Sequence, residues 1–364
     1  MMATLPTISL AEAEVPARSG VRMAALGGGT GLSVLLRGLK AALLPAGSGW
    51  GGESDGGQLT AIVTAADDGG SSGRLRQAYG VLPPGDVRNC LLALSDASPT
   101  LTGLFDFRFN GHIESGVNGH SLGNLILTAL HHLERDHLRA MELAHELLAV
   151  RGKVLPATLD DVRLCAEFVD GTRIEGESRI AAVRQSIRRV YLVPETARAL
   201  PEACGAIAAA DLVLLGPGSL YTSVLPVLLM REVGDAITRS HARVVLVMNL
   251  MTEPGETDGY GAPDFVRAIR RHVPDVPIDD VLLNITPIPE EAARRYAALG
   301  ARPIDPERDA LEALGCRPVD RDLLGCGPLI RHDPDKLGQA VLDLTLRTIP
   351  RLGECHARPS RTAD

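Results

Sequence analysis

The chain has 364 residues, of which 45% are hydrophobic and 23% charged, a normal balance for a globular protein with one large α/β domain or two ordinary ones. Its formal net charge of −8 argues against broad binding to nucleic acid or anionic lipid, because such binding needs a net basic surface. No eighteen apolar residues run uninterrupted, so we expect no membrane span. The cysteines are dispersed and the first twenty residues do not resemble a secretion signal, which favours a cytoplasmic protein with free thiols.

The first half of the chain predicts alternating strands and helices. An apolar strand over residues 23–26 runs into a glycine cluster and then into an apolar helix over 32–44. This unit is typical of the start of a doubly wound parallel sheet. A second strand follows over 59–66, after a glycine- and serine-rich stretch at 45–57 that indicates an exposed loop. Apolar residues at helical spacing predict further helices over 88–94, 121–133 and 138–149.

Short strands in the middle of the chain indicate a small antiparallel insertion between residues 154 and 194. The strands are predicted over 163–169, 172–178 and 189–193. Asp170 and Gly171 supply the hairpin turn between the first two. Glu175 and Glu177 share one face of the second strand, and we expect that face to be exposed to solvent.

Buried parallel strands resume after the insertion. They are predicted over 211–215, 244–248 and 281–283, with outer helices over 263–272 and 335–347. The sequence therefore predicts one α/β domain over residues 21–350, built on a doubly wound, mainly parallel sheet. A disordered tail is expected at 1–20 and a loose tail at 351–364.

Two glycine-rich loops that follow predicted strands are candidates for binding a phosphorylated ligand. The first contains Gly28, Gly29, Thr30 and Gly31, and the second contains Gly218, Ser219, Tyr221 and Thr222. Backbone N–H groups at such a strand-to-helix turn bind anions, and the helix dipole adds partial positive charge. The third glycine of the dinucleotide fingerprint is missing, and no phosphate-loop lysine is present. The alternative is that the first loop serves only tight packing. Asn249 and Glu256 follow the next strand and would complete the pocket.

Asp67 and Asp68 end the second predicted strand, where open parallel sheets place ligand loops. These carboxylates are candidates for accepting ribose hydroxyls or for holding a divalent cation, and the alternative is a simple turn. Ser71 and Ser72 follow in a further loop of small residues, separate from the two glycine-rich loops, that is also a candidate for binding an anion. Further along, we expect Asp86 to cap a helix that starts near residue 87.

Polar residues at two further helix starts are candidates for ligand contact. Arg88 and Asn89 are placed to reach a phosphate or a nucleobase edge. His120 precedes an apolar helix capped by Ser121, and is either an acid, base or donor, or a structural histidine, with Asn124 nearby. The histidines at 131, 132 and 137 do not share a helix face at ligand spacing, so we reject them as metal ligands. No nucleophile elbow occurs, and binding is favoured over catalysis.

Taken together, the motifs resemble one known family. They occur in order between residues 21 and 290, which makes the resemblance specific. The chain resembles the YvcK family of gluconeogenesis factors, within the broader group that includes the 2-phospho-L-lactate transferases of CofD type. The segments that carry this resemblance are GGGTGLSVLLRGLK, TAADDGGSSGRLR, GVLPPGDVRNCLLALS, GHSLGNLIL, RGKVLPAT, LLGPGSLYTSVLP and NLMTEPGETDGY.

The resemblance implies a Rossmann-like α/β fold, a cytoplasmic location and binding of a nucleotide sugar such as UDP-N-acetylglucosamine. It also implies a regulatory role in carbon metabolism and cell shape through control of peptidoglycan synthesis. We further expect a protein partner in cell-wall synthesis and a homo-oligomer. The family positions carry over to Gly28, Gly29, Thr30, Gly31, Asp67, Asp68, Ser71, Ser72, Asp86, Arg88, Asn89, His120, Asn124, Gly218, Ser219, Tyr221 and Thr222.

Two other hypotheses follow from the residues and the resemblance. The transferase branch of the group moves a phospholactyl group from a nucleotide-diphosphate donor with help from a divalent metal. In that case Asp67 or Asp68 would hold Mg²⁺, and Asp67, Asp68 and His120 are the catalytic candidates. A dehydrogenase with a nicotinamide cofactor fits the first strand and helix, but not the imperfect fingerprint.

Overall fold

The computed structural model describes residues 20–43, 59–111 and 116–348. The predicted loop at 45–57 and the predicted tails at 1–19 and 351–364 lie outside these residues. The strands are β1 (Met23–Gly27), β2 (Leu59–Val63), β3 (Lys153–Pro156), β4 (Arg163–Phe168), β5 (Arg173–Glu175), β6 (Ile187–Val193), β7 (Leu212–Leu215), β8 (Arg243–Val247), β9 (Asp280–Asn284) and β10 (Arg317–Arg321).

The helices alternate with the strands of the main sheet. They are α1 (Gly29–Leu43), α2 (Gly70–Tyr79), α3 (Pro84–Leu94), α4 (Pro99–Asp106), α5 (Leu122–Glu134), α6 (His137–Leu147), α7 (Glu177–Ala182), α8 (Pro201–Ala209), α9 (Leu225–Leu228), α10 (Arg231–Arg239), α11 (Ala262–His272), α12 (Glu290–Ala297), α13 (Arg308–Ala313) and α14 (Pro334–Thr348). A π-helical turn, Leu220–Val224, precedes α9. None of the described helices is long and apolar enough to cross a membrane.

The main sheet has seven parallel strands in the order β10-β9-β8-β7-β1-β2-β3. From β1, the chain adds β2 and β3 on one side of the sheet. It then adds β7, β8, β9 and β10 on the other side of β1. The strand order therefore reverses between β1 and β7, and ligands of doubly wound sheets bind at the carboxyl edge of that position. The predicted Rossmann-like α/β fold is confirmed.

Both faces of the main sheet are covered, which explains why its central strands are apolar throughout. On β1, Ala25 packs against one face with α1, α3 and α14, while Ala24 and Leu26 pack against the other with α8 to α11. Strands β4, β5 and β6 form the separate three-stranded antiparallel sheet, in the order β5-β4-β6. This small sheet packs on the face of the main sheet that also carries α8 to α11.

Helices α1 and α14 cross at two glycines. A Cβ atom at Gly38 would lie 2.8 Å from the carbonyl carbon of Pro334 and 3.0 Å from the nitrogen of Gly338. Real Cβ atoms do not approach backbone this closely, so the two helices contact each other backbone to backbone. This crossing holds the carboxyl-terminal helix against the first helix of the sheet.

The structure corrects two predictions about the antiparallel insertion. Residues 153–156 do not belong to it, because they form β3 and pair in parallel with β2. The predicted strand over 172–178 ends at Glu175, since Gly176 has a φ of 106° and a Cβ there would overlap the carboxylate of Asp68. Glu177 therefore begins α7 instead of sharing an exposed strand face with Glu175.

The predicted capping role of Asp86 is also wrong. Helix α3 begins at Pro84, which suits the first helical turn because proline lacks the N–H that would be unpaired there. Asp86 lies in the first turn of α3, and its carboxylate lies next to Gly28 in the first glycine loop.

A buried ion cluster holds the outer strands of the main sheet. The Asp280 side chain is fully buried and accepts hydrogen bonds from Arg243 and Arg317, each at 2.7 Å to Oδ1. Hydrogen bonding to Asp280 raises the pKa of Arg243, so this guanidinium stays charged. Because β8, β9 and β10 each contribute one member, the cluster ties three neighbouring strands together.

Candidate functional site

A cavity of about 500 Å³ opens at the carboxyl edge of β1, β7 and β8. It lies at the reversal of strand order, where a ligand is expected. One end is polar and is formed by the two glycine loops and the loop after β8. The other end is mainly apolar and is formed by Leu250, Met251, Tyr296, Leu299, Ala301 and Ile330.

The first glycine loop lies against the second with no room for side chains. Helix α1 begins at Gly29, whose φ of 65° favours glycine. A Cβ atom at Gly31 would lie 2.8 Å from the carbonyl carbon of Pro217 and 3.1 Å from the nitrogen of Gly218. The backbone and the amino end of α1 therefore line the cavity directly, together with Gly28 and Thr30, as anion binding requires.

Asn249 joins the second glycine loop to the loop after β8. Its amide accepts from the N–H of Gly218 at 3.1 Å and donates to the Gly218 carbonyl at 3.0 Å. It also donates to Glu253 Oε1 at 3.1 Å, and Ser219 Oγ donates to Glu253 Oε2. The structure thus brings Gly218, Ser219 and Asn249 together at the cavity wall.

Tyr221 and Thr222 lie beneath the second glycine loop, outside the cavity wall. Tyr221 is fully buried, and its hydroxyl is 2.8 Å from that of Tyr260. Thr222 Oγ1 donates to Glu256 Oε1 at 3.2 Å. Burial and the neighbouring Glu253 raise the pKa of Glu256 to about 8. The structure corrects the expected placement of these residues, since they support the loop from behind.

An acidic cluster adjoins the first glycine loop on the side of β2. Its members are Asp67, Asp68, Asp86 and Glu177, and Glu177 also lines the cavity. Burial, followed by the charges of Asp67 and Asp86, raises the pKa of Glu177 to about 9. Burial and Asp67 raise the pKa of Asp86 to about 6. A hydrogen bond between Glu177 and Asp67 shifts the pKa of Glu177 in the same direction.

The two aspartates after β2 make structural contacts as well. Asp67 Oδ1 accepts from the N–H of Gly69 at 2.8 Å, and Asp68 Oδ1 accepts from the N–H of Ser178 at 2.8 Å. The second bond holds the antiparallel insertion against the main sheet. Sequence reasoning missed Glu177 because it assigned this residue to a strand.

The acidic cluster offers the oxygen donors that a divalent cation prefers. Within residues 20–43, 59–111 and 116–348, no three His, Cys, Asp or Glu side chains are arranged as a complete metal site. Mg²⁺ commonly binds one or two carboxylates together with phosphate oxygens of a ligand. Asp67 with Asp86 fits that shared mode, and a cation there would relieve the repulsion that raises the pKa of Asp86.

The remaining predicted polar residues form one buried network behind the acidic cluster. Ser71 Oγ lies 2.8 Å from His120 Nδ1 and accepts from Asn124 Nδ2 at 3.0 Å. Arg88 donates to Asn124 Oδ1 at 3.1 Å and to Ser121. Burial, with two nearby arginines, lowers the pKa of His120, and its Nδ1 shares a hydrogen bond with Ser71 Oγ. This network connects the amino ends of α2, α3 and α5, and its members do not line the cavity.

Two other predicted ligand contacts also lie away from the cavity. Ser72 Oγ accepts from the N–H of Gly85 at 3.1 Å and so joins α2 to α3. Asn89 accepts from Arg88 at 2.8 Å and lines a separate groove beside Thr30. The sequence identified Ser71 and His120 singly, but nothing local indicated that they pair across 49 positions.

The apolar end of the cavity comes largely from residues after 290, to which sequence reasoning assigned no role. The hydroxyl of Tyr296 accepts from the N–H of Ile330 at 3.2 Å. His332 Nε2 donates to the Met248 carbonyl at 3.1 Å, and burial lowers the pKa of His332 to about 4. These contacts hold the segment against the end of β8, with the exposed Arg331 at the cavity rim.

Residues 23–324 match the model of the family described as 2-phospho-L-lactate transferase CofD. The chain belongs to the CofD family. The family region includes both glycine loops, the acidic cluster and Tyr296, whereas Ile330 and Arg331 lie beyond it. The CofD-family assignment thus agrees with the fold and with most of the cavity wall.

Relatives of this CofD-family chain carry the name gluconeogenesis factor. The Bacillus subtilis protein is 45% identical over 324 residues, covering 89% of this chain and 98% of that protein. The Halalkalibacterium halodurans protein is 45% identical, covering 88% of this chain and 96% of that protein. A crystal structure of a member of the UPF0052 family from Bacillus halodurans is 44% identical, with a TM-score of 0.81, and covers 89% of this chain and 100% of that chain.

Proposed function

We propose that this CofD-family chain is a cytoplasmic regulatory protein that binds a nucleotide sugar such as UDP-N-acetylglucosamine. By analogy with the gluconeogenesis factors it resembles, it would act in carbon metabolism. Control of cell shape through peptidoglycan synthesis belongs to the same proposal. A protein partner in cell-wall synthesis and a homo-oligomeric state belong to the same proposal. The observation that carries the proposal is the cavity with one polar end and one mainly apolar end.

The polar end of the cavity suits a diphosphate. The amino end of α1 and the Gly218 loop both present backbone at this end, and two such elements match two linked phosphate groups. Ligand pockets of a few hundred Å³ hold molecules of nucleotide size, and the cavity volume of about 500 Å³ falls in that range.

The apolar end suits the planar base or the sugar ring. Leu250, Met251, Tyr296 and Ile330 provide apolar and aromatic surface, and Arg331 supplies a positive charge at the rim. The buried Ser71–His120 pair does not line this cavity, so it is not placed to act on a ligand bound there.

Isothermal titration with UDP-N-acetylglucosamine, UDP, GDP and NAD, each with and without Mg²⁺, tests the proposal. We expect a uridine-specific response, and Arg331→Ala should weaken it by about tenfold or more, or about 1.4 kcal/mol. Arg267→Ala is the matched control, because Arg267 pairs with Asp264 on the exposed side of α11. Equal affinity of the two variants, or steady turnover of the nucleotide sugar, would contradict the proposal.

A Mg²⁺-dependent transferase of the 2-phospho-L-lactate type is the second candidate. The acidic cluster favours it, because Asp67 and Asp86 lie beside the loop proposed to hold the diphosphate. Such an enzyme should respond to guanosine nucleotides. Asp67→Asn should then abolish metal-dependent transfer while the far-UV circular dichroism spectrum stays unchanged, and unaltered transfer would exclude this role.

A further inference from the structure

Besides Glu177, a second carboxyl group lines the end of the cavity that is otherwise suited to anions. Glu253 lines the cavity beside Gly218 and Ser219, and it is half-buried. Its position is held at three points. The side chain accepts from Asn249 and Ser219, and the backbone N–H donates to Thr257 Oγ1 at 2.8 Å.

These contacts leave Glu253 with unused acceptor capacity. A carboxylate has about four lone-pair positions, and the two side-chain donors use one on each oxygen. Both oxygens thus remain able to accept from a donor in the cavity. Two adjacent acceptors match the neighbouring hydroxyl groups of a sugar, and acidic residues contact ribose in this way in other doubly wound folds.

In its ionised form, the same group opposes a phosphate at this position; burial raises the pKa of Glu253, and the hydrogen bond from Ser219 opposes that shift. A carboxylate beside a phosphate oxygen brings two negative charges together in a partly desolvated place, where their repulsion is stronger than in water. Selectivity arises from rejecting the wrong ligand as well as from binding the right one.

We propose that Glu253 selects the ligand by its sugar hydroxyls: it accepts hydrogen bonds from neighbouring hydroxyls next to the diphosphate and excludes a further phosphate from the same place. The proposal rests on the proposed function and names the specificity-determining residue of that site. The hydroxyls belong to either the ribose or the attached sugar, and both sources share this chemistry.

If Glu253 served only to connect the two loops, its variants would have different effects on ligand binding. Asn249 already joins the two loops through both backbone groups of Gly218, so the loops remain connected without the charge of Glu253. Glu253→Gln keeps the size of the side chain and removes the charge. Glu253→Asp keeps the carboxyl group but shortens the side chain by one methylene group, which moves the carboxyl group away from the ligand. Only a selecting role predicts that these two variants change the ranking of ligands in different ways.

The experiment measures the affinities of UDP-N-acetylglucosamine, UDP, 2′-deoxy-UDP and UTP for the full chain and for each variant by isothermal titration. The matched control is Glu312→Gln, because Glu312 is exposed on α13 and lies outside the cavity wall. Ratios of affinity within one variant do not depend on the fraction of folded protein, so a partly unfolded variant remains informative.

If Glu253 contacts the ribose, the wild type should bind UDP at least about tenfold more tightly than 2′-deoxy-UDP. If Glu253 contacts the attached sugar, the wild type should bind UDP-N-acetylglucosamine at least about tenfold more tightly than UTP. Glu253→Gln should lose this preference and bind UTP more tightly. Glu253→Asp should lose the hydroxyl preference and still reject UTP. If the wild type binds UDP-N-acetylglucosamine but both Glu253 variants keep its ratios, the selecting role is overturned and the proposed function stands. If the wild type binds none of the four, both fail.

Discussion

A methyl group at Gly31 would force the two glycine loops of the cavity apart. The added Cβ would lie 2.8 Å from the carbonyl carbon of Pro217 and 3.1 Å from the nitrogen of Gly218. Unstrained contacts between such atoms need roughly 3.5 Å, so the loops must separate by about 0.5 to 1 Å. Gly31 has no positive φ, so Gly31→Ala tests this steric contact without added backbone strain.

The expected magnitude combines two opposing effects. Overpacking costs about 1–3 kcal/mol, whereas alanine is favoured over glycine within a helix by up to about 1 kcal/mol. The free energy of unfolding of Gly31→Ala should therefore fall by about 1–2 kcal/mol. Since both glycine loops of the proposed diphosphate site move, the affinity for UDP-N-acetylglucosamine should fall by about tenfold or more.

Denaturant unfolding and isothermal titration measure these two changes. Gly234→Ala on α10 is the matched control, because its Cβ would meet Leu228 and Val276 at ordinary distances of 3.7 and 3.8 Å. That variant should gain about 0.5–1 kcal/mol and bind normally. The reasoning is refuted if Gly31→Ala unfolds at the same denaturant concentration as Gly234→Ala and binds equally well.

Three further predictions concern stability and use denaturant unfolding. Gly38→Ala should cost about 3 kcal/mol, because the new methyl meets the Pro334 carbonyl at the α1–α14 crossing, and a neutral result would show that the helices can separate freely. Asp280→Asn should cost about 3 kcal/mol, since two arginines lose their buried partner, and a stabilised variant would contradict this role. The pKa of Glu256 rises from its ordinary 4.5 to about 8 on folding, so folding takes up a proton and wild-type stability should decrease as pH rises from 4.5 to 8. Glu256→Gln should flatten this decrease, and an unchanged slope would rule out Glu256 as its source.

Local features of the sequence were enough to predict the glycine loops and five of the seven main-sheet strands, but not β3 or β10. An apolar run followed by glycines predicts a strand and a turn wherever it occurs, because burial and positive φ are properties of a few adjacent residues. Gly29 shows this directly, with its φ of 65° at the start of α1. The resemblance to a known family then implied a Rossmann-like α/β fold, which the seven-stranded parallel sheet confirms.

Relations between distant segments could not be predicted in this way. Glu177 was assigned to an exposed strand, because only the packing of Gly176 against Asp68 ends that strand early. The pairing of Ser71 with His120 likewise depends on how α2 and α5 pack. Neither contact has a local signal, since each requires two segments to meet in space.

The sequence by itself determined five strands of the main sheet and the glycine-rich turns that follow β1 and β7, because hydrophobic pattern and turn chemistry act over short stretches. The tertiary structure decided which of these segments share a cavity. It placed Tyr296 and Arg331 opposite the glycine loops, and it moved Tyr221 behind them into the core. The physical reason is that packing of helices on a sheet sets the positions of loops that are far apart in the chain.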